Sequence, residues 1–341
     1  MKPNVRRRVS EFTLPGNDWM QSARSSEGDP ARHSELLATS PALNSVRVAQ
    51  ANGVPYSGNR MRVAAWNLER CKFMEESAQL LASAKIDVAL LSEADIGMCR
   101  SGNLDTISDL AQSLRMGHAA GVEFIELGLG DERETEEHVG GVNLGGLHCN
   151  AVLSKFRIED AAVIPLGPGG DWFAGKPGKG QRRVGCRVAV GARIAAAAPL
   201  WAFAVHFESE GRPADRAAEA EKLVAGLEAV GANGATVVGG DFNFNGIPPG
   251  ENEGSGRALK PELHEPAFRV MREAGYEWSM CNAPGPTTRR HPWHNGHKPL
   301  KIDWMFIRNV DASNSSIVPA VGLDGGNLSD HEMIQTDIQI R

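Results

Sequence analysis

Short apolar runs that end in a polar residue recur along most of this chain. The run MRVAAWNLE starts at Met61, DVALLSE ends at Glu93, and ATVVGGDFN ends at Asn243. Runs of this length are typical of β-strands that are buried on one or both faces. Many such strands can bury their apolar faces only in packed layers, so the pattern restricts the chain to a sheet-rich fold. Further strands are predicted at VEFIEL, NAVLSKF, GCRVAVGARI, LWAFAVHF, KIDWMFI and EMIQTDIQI.

Helical segments lie between some of these strands. The segment FMEESAQLLASAK has apolar residues near helical spacing, and with the strands on either side it makes a β-α-β opening that favours an α/β fold. Further helices are predicted over 103–114, 213–230 and 261–273, and the last two open with a proline, which a first helical turn accepts. Many strands with few long helices predict two packed sheets flanked by helices, not one doubly wound sheet.

The start of the chain differs from the rest in its composition and its hydrophobic pattern. Residues 1–59 are rich in Ser, Asn, Pro, Arg and Gly and show no sustained hydrophobic period. Segments of this composition bury little apolar surface and are often mobile. We therefore expect a flexible or loosely docked extension over 1–59 and a folded domain over 60–341.

Composition excludes some classes of function. The 36 basic and 42 acidic side chains give a formal net charge of −6, which argues against a protein that coats nucleic acid through a basic surface. The longest apolar run, 194–205, is too short to cross a bilayer and contains Pro199, and no apolar segment typical of a secretion signal follows the first residues. The five cysteines form no CxxC pair, which fits reduced thiols. We expect a soluble, cytoplasmic protein without a membrane span.

Polar residues end seven of the predicted strands. Any one of them is most often a turn former or a helix cap. Together they are harder to explain, because carboxylates, amides and imidazoles share no packing reason to lie at strand ends. Asp241 and Asn243 are two residues apart in an extended segment, so their side chains point the same way. The ten residues are Asn67, Glu69, Glu93, Asn150, His206, Asp241, Asn243, Asp303, Asp330 and His331.

The motifs WNLE, LLSE, NAVLS, VH, GDFN, KIDW and SDH occur in this order between Arg62 and Ile340. GDFN followed by IDW and then SDH is a specific signal, and the whole set resembles the endonuclease/exonuclease/phosphatase superfamily of metal-dependent phosphoesterases. The resemblance implies a four-layer α/β/β/α sandwich with two central mixed β-sheets. It also implies a catalytic domain over 60–341 that hydrolyses phosphodiester bonds by in-line attack of an activated water, with nucleic acid among the candidate substrates.

A divalent cation is expected from the residues as well as from the resemblance. A lone carboxylate that closes an apolar strand, as Glu93 does, is costly without a cation or a hydrogen-bonding partner. Oxygen ligands without Cys/His spacing favour Mg²⁺ or Mn²⁺ over zinc. By resemblance Asn67 supports the metal or the substrate, and Glu69 is a metal ligand that replaces an aspartate found in some members. Asp330 would be a second metal contact or an orienting acid, and a turn or helix cap after Ser329 is its structural alternative.

The resemblance gives the other motif residues catalytic roles. Asp303 would fix the tautomer of His331 and raise its basicity, so that the other ring nitrogen contacts the nucleophile or the phosphate. Asp241 would either orient the attacking water or protonate the leaving oxygen, and the sequence leaves both roles open. His206 and Asn243 would donate hydrogen bonds to the phosphoryl oxygens.

Basic residues near the motifs are candidates for substrate binding. Arg100 in GMCRSGN and the neighbouring pair Arg182 and Arg183 could contact a substrate anion. Exposed arginines are more often simply solvated, and this alternative stays open. Asn150 would have a supporting position in the site.

A basic segment leads directly into KIDW. Residues 289–302 carry four Lys/Arg, three His and no acid, in a chain that is acidic overall. A basic loop beside a phosphoesterase site would guide an anionic substrate through its local field. The three histidines raise a zinc site as an alternative, but their spacing is irregular and a proline interrupts any helical face.

Three functions are compatible with these observations. The first is a metal-dependent phosphodiesterase that acts on nucleic acid. The second is a phosphatase or phosphodiesterase of a small molecule or lipid head group, which the acidic loop around 126–137 favours over a long duplex. The third is a non-catalytic binding module, and the presence of every site carboxylate and of His331 argues against it.

Overall fold

The computed structural model describes residues 4–50, 56–177, 180–249, 260–289 and 298–341. These residues form fourteen strands and eight α-helices. The strands are β1 (Arg8–Val9), β2 (Val46–Ala49), β3 (Arg60–Arg70), β4 (Val88–Ile96), β5 (Gly117–Glu126), β6 (Leu147–Ser154), β7 (Ile158–Pro165), β8 (Arg183–Gly185), β9 (Val188–Ile194), β10 (Leu200–His206), β11 (Ala235–Asp241), β12 (Asp303–Arg308), β13 (Val310–Val318) and β14 (Met333–Ile340). The helices are α1 (Asn17–Ser25), α2 (Pro30–Thr39), α3 (Met74–Ser83), α4 (Thr106–Leu114), α5 (Glu132–Glu137), α6 (Gly170–Phe173), α7 (Pro213–Ala229) and α8 (Ala267–Glu273).

The strands form two mixed sheets. In the larger sheet the order is β1-β2-β5-β6-β4-β3-β14-β13, and β8 also pairs with β5. The pairs β1–β2 and β3–β4 are parallel, and the other described pairs are antiparallel. The order in the smaller sheet is β12-β11-β10-β9-β7, with β10 and β11 parallel and the other described pairs antiparallel.

Three buried apolar clusters separate four layers. Between the sheets, Val63 and Leu90 of the larger sheet share a cluster with Val190 and Val237 of the smaller one. A second cluster joins the outer face of the larger sheet to α1 to α4, and a third joins the outer face of the smaller sheet to α7 and α8. Central strands are therefore covered on both faces, which is why they are almost wholly apolar in sequence. The predicted α/β/β/α sandwich with two central mixed sheets is confirmed.

The predicted helices are present, with one interruption. α4 begins after Asp105, whose side chain accepts a hydrogen bond from the Ser108 backbone N–H at 3.1 Å. α7 begins at Pro213, which needs no hydrogen bond in a first turn. The segment predicted as one helix over 261–273 is instead a short 3₁₀ turn followed by α8, because Pro266 has no N–H with which to continue the first turn.

The N-terminal segment does not form the loose extension that we expected. Within residues 4–50, β1 pairs with β2 and β2 pairs with β5, so this segment belongs to the larger sheet. Leu36 of α2 is buried in the same cluster as α3 and α4. Arg47 forms a two-contact ion pair with Asp105, one contact being 2.9 Å long. Short helices and strands follow one another here, which is why the sequence shows no sustained period.

The glycine-rich loop over 128–146, which includes most of the acidic stretch 126–137, contains a short helix. Asp131 and Glu134 form a capping box at the start of α5, with the Glu134 N–H donating to Asp131 at 2.8 Å. Glu134 is completely buried. The loop therefore turns at least one of its acids inward.

In the described part of the chain, no helix combines the length and apolar character that a membrane crossing needs. None of the five cysteines, all of which lie in the described ranges, forms a disulfide, and four of them are buried.

Candidate active site

The register of the smaller sheet aligns three of the predicted residues. His206 ends β10, Asp241 ends β11 and Asp303 begins β12. His206 lies opposite Asp241 in the parallel pair, and Asp241 lies opposite Asp303 in the antiparallel pair. Residues directly opposite one another project from the same face of a sheet. The three side chains therefore form a row at one end of the smaller sheet.

Two β-bulges aim the carboxylates of the larger sheet. The pairing register shifts around Glu69 on β3 and around Glu93 on β4. Their φ angles are 45° and 54°, in the left-handed region that residues with side chains seldom adopt. Such a conformation costs roughly 1–3 kcal/mol and persists only where the surrounding structure imposes it. Bulges of this kind re-aim side chains, often beside active sites.

Asp303, His331 and Asp241 form a buried series of contacts. Nδ1 of His331 lies 2.9 Å from Oδ2 of Asp303, and its Nε2 lies 3.7 Å from Oδ2 of Asp241. Burial alone would lower the pKa of His331, but the charges of Asp303 and Asp241 raise it well above its usual value. Burial raises the pKa of Asp241, an effect that His331 opposes and Asp303 reinforces. A protonated imidazole therefore faces a carboxyl group whose pKa lies nearer to neutral than usual.

Two asparagines hold Asp241 in place. The backbone N–H of Asn243 donates to its Oδ1 at 2.8 Å, and Nδ2 of Asn67 donates to its Oδ2 at 3.2 Å. Nδ2 of Asn67 also donates to Oε1 of Glu93 at 3.1 Å, so Asn67 links carboxylates of both sheets. The Asn243 side chain donates to the carbonyl of Phe207 at 2.9 Å, which uses one of its two N–H groups.

His206 lies between three acids. Its Nδ1 is 3.2 Å from Oε2 of Glu123, while its Nε2 is 3.8 Å from Oε1 of Glu93 and 3.7 Å from Oδ2 of Asp241. Nη1 of Arg187 is 3.0 and 3.1 Å from the two ring nitrogens, so the guanidinium lies over the face of the imidazole. Burial would raise the pKa of Glu123, but the charges of His206 and Arg187 lower it to about 2.

The four residues predicted to bind the metal lie close together. Besides the contact between Asn67 and Glu93, Oδ1 of Asn67 accepts from the Glu69 N–H at 3.0 Å. Oε2 of Glu69 accepts from the backbone N–H of Asp330, also at 3.0 Å. The structure thus gathers residues from β3, β4 and the loop before β14.

Cationic side chains already contact this group, Arg70 and Lys72 most closely. Nη1 of Arg70 lies 2.5 Å from Oε2 of Glu93, and Nζ of Lys72 lies 3.3 Å from Oε1 of Glu69. Burial would raise the pKa of Glu93, but Arg70 and His206 hold it well below its usual value. Glu93 is therefore ionised, and among the described arginines none occupies its other oxygen, Oε1.

Within the described residues, two groups offer three metal-ligand atoms that all lie within 4.8 Å of one another. One group shares Glu93 with the predicted metal site, and the other is the series described above. They are Glu93, His148 and His206, and Asp241, Asp303 and His331.

A cavity of about 550 Å³ is lined by motif residues from both sheets, namely Glu93, His206, Asp241, Asn243, Asp330 and His331, and by His148. Asn67, Glu69, Asn150 and Asp303 are not part of this lining. Cationic side chains from strands and loops complete it, so an anionic ligand of matching size would meet positive charge on several sides. The cationic residues of the lining are Arg70, Arg183, Arg187, Arg289 and Lys298.

Sequence reasoning missed several residues of this lining, among them His148, Arg70 and Arg187. His148 lies two residues before Asn150, so the two-residue period that grouped Asn67 with Glu69 would also have drawn attention to it. Arg70 and Arg187 carry no such signal, because each continues a strand-like stretch without a strand end to mark it.

Arg100 does not line the cavity. Its side chain is fully buried and pairs with Asp95 and Glu134, each at 2.8 Å, and with Glu126 at 3.5 Å. Carboxylates of the protein therefore already occupy the guanidinium. Its predicted role in substrate binding is replaced by a structural one.

Arg182 is also a structural residue. Its guanidinium donates to the carbonyls of Phe173 and Arg24 at 3.0 Å and of Ala23 at 3.2 Å. These contacts fasten α1 to α6, and Arg182 is not part of the cavity lining. The substrate contact predicted for it is therefore not found.

Arg183 lies at the cavity, whereas Asn150 joins the two sheets and is not part of the cavity lining. Arg183 lines the cavity, and its guanidinium carbon lies 3.5 Å from the ring centroid of Trp172 and 4.0 Å from that of Phe124. Burial lowers the pKa of Arg183 to about 10. Nδ2 of Asn150 donates to the carbonyl of Val188 at 3.0 Å and so joins the two sheets beside the site.

The described ends of the basic segment reach the cavity. Arg289 and Lys298 line it, and Nε of Arg289 contacts Oε1 of Glu332 at 2.6 Å. His291, His294 and His297, which raised the zinc alternative, lie outside the described residues.

Solved structures of similar fold include endonuclease/exonuclease/phosphatase proteins. The protein from Beutenbergia cavernae is 19% identical with a TM-score of 0.56, and the alignment covers 83% of this chain and 72% of that one. The protein from Bacteroides vulgatus is 17% identical with a TM-score of 0.53, over 83% and 99% of the two chains. The catalytic domain of human nocturnin, solved with a bound sulfate anion, is 17% identical with a TM-score of 0.51, over 84% and 96%. These likenesses show that the chain shares the fold of these proteins.

Comparison of the sequence with models of protein families identifies the family of this chain. The model of the Endonuclease/Exonuclease/phosphatase family matches residues 64–331, which is most of the chain. The chain belongs to this family, whose members are generally metal-dependent phosphoesterases. Comparison with curated proteins gave no match.

Proposed function

We propose that this chain is a divalent-metal-dependent hydrolase of phosphodiesters. The main support is the surroundings of Oδ2 of Asp241, where Asn67 Nδ2 lies at 3.2 Å and Nε2 of both His206 and His331 at 3.7 Å. The cavity is thus lined by Asp241, an acid that can exchange a proton, and by the imidazoles of His206 and His331. The ionised Glu93 also lines it, and the Asn67 side chain links Glu93 to Asp241 through hydrogen bonds to both. In-line hydrolysis needs these groups: a proton acceptor or donor and charge to balance the phosphoryl oxygens.

The residues proposed to bind the cation suit a hard metal ion. Glu69, Glu93 and Asp330 offer carboxylate oxygens and Asn67 an amide oxygen, the donors that Mg²⁺ and Mn²⁺ prefer. The ionised state of Glu93 supports this assignment, because a metal ligand must be deprotonated. When bound, the cation neutralises charge on the phosphoryl group.

Asp303, His331 and Asp241 would carry the proton transfers. Asp303 accepts the Nδ1–H of His331, which fixes the tautomer and directs Nε2 towards the cavity. The raised pKa of His331 keeps this nitrogen protonated at neutral pH, so it serves as a charged donor to a phosphoryl oxygen. Asp241, whose pKa is raised by burial, takes a proton from the attacking water or gives one to the leaving oxygen.

Further donors would hold the phosphoryl group between the sheets. His206 and Asn243 line the cavity beside Asp241, and Arg187 lies over the His206 ring. Donors that are already fixed in place stabilise developing negative charge without reorganising during the reaction.

The proposal is tested with bis-p-nitrophenyl phosphate, a generic phosphodiester. We expect turnover with Mg²⁺ or Mn²⁺, loss of turnover on adding EDTA and recovery on restoring the metal. Asp241→Ala should abolish turnover while circular dichroism and the Tm show a folded protein. Asp311→Ala is the matched control, because Asp311 is exposed on β13. Turnover that survives EDTA, or that survives in folded Asp241→Ala protein, would contradict the proposal.

A small phosphorylated molecule or lipid head group is the second candidate substrate class. The cavity volume of about 550 Å³ lies in the range of small-molecule sites, and its cations converge on one space instead of forming a track. A long duplex would need many phosphate contacts spread along a basic surface. A panel of single-stranded DNA, abasic duplex, RNA, inositol phosphates and sphingomyelin separates the classes. Turnover of a nucleic acid but of no small ester would remove this second candidate.

A further inference from the structure

Glu93, His148 and His206 come together from both sheets of the sandwich. Each offers one ligand atom, and the three atoms all lie within 4.8 Å of one another. Two of these ligands are imidazole nitrogens, whereas the proposed Mg²⁺ or Mn²⁺ ligands are all oxygens. The two sets share Glu93 but differ in the metals that they would prefer.

His148 is oriented by a buried carboxylate. Its Nδ1 lies 2.9 Å from Oδ1 of Asp95, and Asp95 is itself fixed by Arg100 at 2.8 Å. All three side chains are almost completely buried. A histidine whose Nδ1–H is donated to a carboxylate keeps the lone pair of Nε2 free, and this is the usual arrangement around a metal-binding imidazole.

His206 repeats the arrangement on the other sheet. Its Nδ1 lies 3.2 Å from Oε2 of Glu123, and its Nε2 lies 3.8 Å from Oε1 of Glu93. Arg187 lies over the ring face, so it leaves the in-plane lone pair of Nε2 open. Arg70 contacts the other oxygen of Glu93 and leaves Oε1 on the side of His206.

The ligand atoms of Glu93, His148 and His206 could bind one metal ion after a small rotation of their side chains. Ligand atoms that bind a metal at about 2.1 Å are roughly 3.4 Å apart in a tetrahedral site. The 3.8 Å between His206 and Glu93 and the 4.8 Å limit for the group are only slightly larger. Rotation of side chains, without movement of the strands, would close the difference.

We propose that Glu93, His148 and His206 form a second cation site, which prefers a divalent transition metal such as Co²⁺ or Zn²⁺ over Mg²⁺. The preference follows from the two imidazoles, which suit transition metals, whereas Mg²⁺ prefers oxygen ligands. The two oriented histidines set this site apart from a simple cluster of acids. The inference concerns metal binding and does not depend on diester hydrolysis.

The test uses Co²⁺, whose visible absorption reports nitrogen ligands. In the presence of millimolar Mg²⁺, we expect the wild-type chain to bind Co²⁺ with visible bands that Mg²⁺ does not remove. His148→Gln should weaken Co²⁺ binding at least about tenfold, because even changing the partner of a metal-bound histidine costs that much. His118→Gln is the control, since His118 is a buried histidine of β5 that does not line the cavity. Asp330→Asn, which alters only the oxygen set, should keep the Co²⁺ bands.

The outcomes separate this inference from the proposed function. Pulsed EPR of the Co²⁺-loaded wild-type chain at low temperature detects nitrogen coupling without any substitution, so the test survives if His148→Gln fails to fold. No nitrogen coupling, or unchanged Co²⁺ binding in folded His148→Gln protein, would overturn the second site. Loss of the Co²⁺ bands in Asp330→Asn but not in His148→Gln would place the ion at the oxygen ligands and overturn it as well. Metal-dependent turnover with no nitrogen-bound ion would leave the diesterase proposal standing alone.

Discussion

The two walls of the cavity satisfy their charges in different ways. On the wall formed by the smaller sheet, Asp241 and Asp303 face histidines, and Oδ1 of Asp303 has no hydrogen-bond partner among the described residues. On the wall formed by the larger sheet, Glu93 contacts Arg70, and Asp95 contacts Arg100. The acids of the first wall therefore face groups that can lose a proton, whereas each acid of the second wall has, besides a histidine neighbour, an arginine that stays charged.

This difference predicts which wall supplies the residues for catalysis and which wall supplies the residues that stabilise the fold. The pKa of Asp241 is raised by burial, whereas arginines hold the pKa of Glu93 and Glu134 well below the usual value. An acid whose pKa is raised holds and exchanges a proton more readily, which suits proton transfer, and acids that stay ionised suit binding of cations. Substitutions on the smaller-sheet wall should affect turnover, and those in the arginine network of the larger-sheet wall should affect folding.

The largest effect is expected for Asp241→Asn. Asparagine keeps the shape but cannot exchange a proton, so turnover of a generic diester should fall by about 10³–10⁴-fold. Burial already disfavours the charged form of Asp241, so the free energy of unfolding should stay equal or rise. Steady-state kinetics and urea unfolding measure the two effects. A large loss of stability would break the comparison, since Asp241 would then be a structural acid.

Arg100→Met should act in the opposite way. Removing the guanidinium leaves Asp95, Glu126 and Glu134 as uncompensated buried charges. The free energy of unfolding should fall by about 3–5 kcal/mol. Arg157→Met is the control, because Arg157 is half exposed and its pair with Glu159 should contribute less than about 1 kcal/mol. Urea unfolding of the three proteins checks this, and equal stabilities would contradict the structural role of Arg100.

Asp303→Asn should reduce turnover by about 10²-fold with little effect on stability. The reason is indirect, because the substitution removes a charge that raises the pKa of His331. His331 would then lose its proton at a lower pH, and the alkaline limb of the pH profile should move to lower pH. The profile of kcat/KM measures this shift. A uniform loss of turnover with an unmoved profile would show that Asp303 does not act through His331.

The smallest effect concerns a buried acid on α7, for which burial outweighs the charge of Arg187. Burial raises the pKa of Glu219 on α7 from 4.5 to about 7. The folded protein therefore binds the proton more tightly than the unfolded chain, and stability is lost as pH rises from about 4.5 to 7. Glu219→Gln removes this loss and should raise the free energy of unfolding at pH 8 by up to about 3 kcal/mol, with less gain at pH 5. Urea unfolding at both pH values tests this, and the same gain at each would exclude a titration effect.

The smaller-sheet wall was the more predictable one. A polar residue that ends an apolar strand is visible in sequence, and the ends of paired strands meet in space, so His206, Asp241 and Asp303 could be grouped before the fold was known. The four-layer architecture followed from the same strands.

The larger-sheet wall could not be predicted in the same detail. Its geometry depends on bulges at Glu69 and Glu93, and a bulge leaves no periodic trace. Arg100 looked like a surface arginine because its partner Glu134 lies 34 residues away in a glycine-rich loop. Burial of a charge depends on such distant partners, which neither composition nor spacing reveals. The docked N-terminal segment was missed for a similar reason, since its strands are short and pair with β5.

The row of His206, Asp241 and Asp303 limits how this chain can change during evolution. Backbone pairing, and not any side-chain contact, keeps these residues level with one another. One residue inserted within β11 would turn Asp241 to the opposite face of the sheet. New substrate preferences must therefore arise by lengthening or replacing the loops beyond the strand ends, while the lengths of β10, β11 and β12 stay constant.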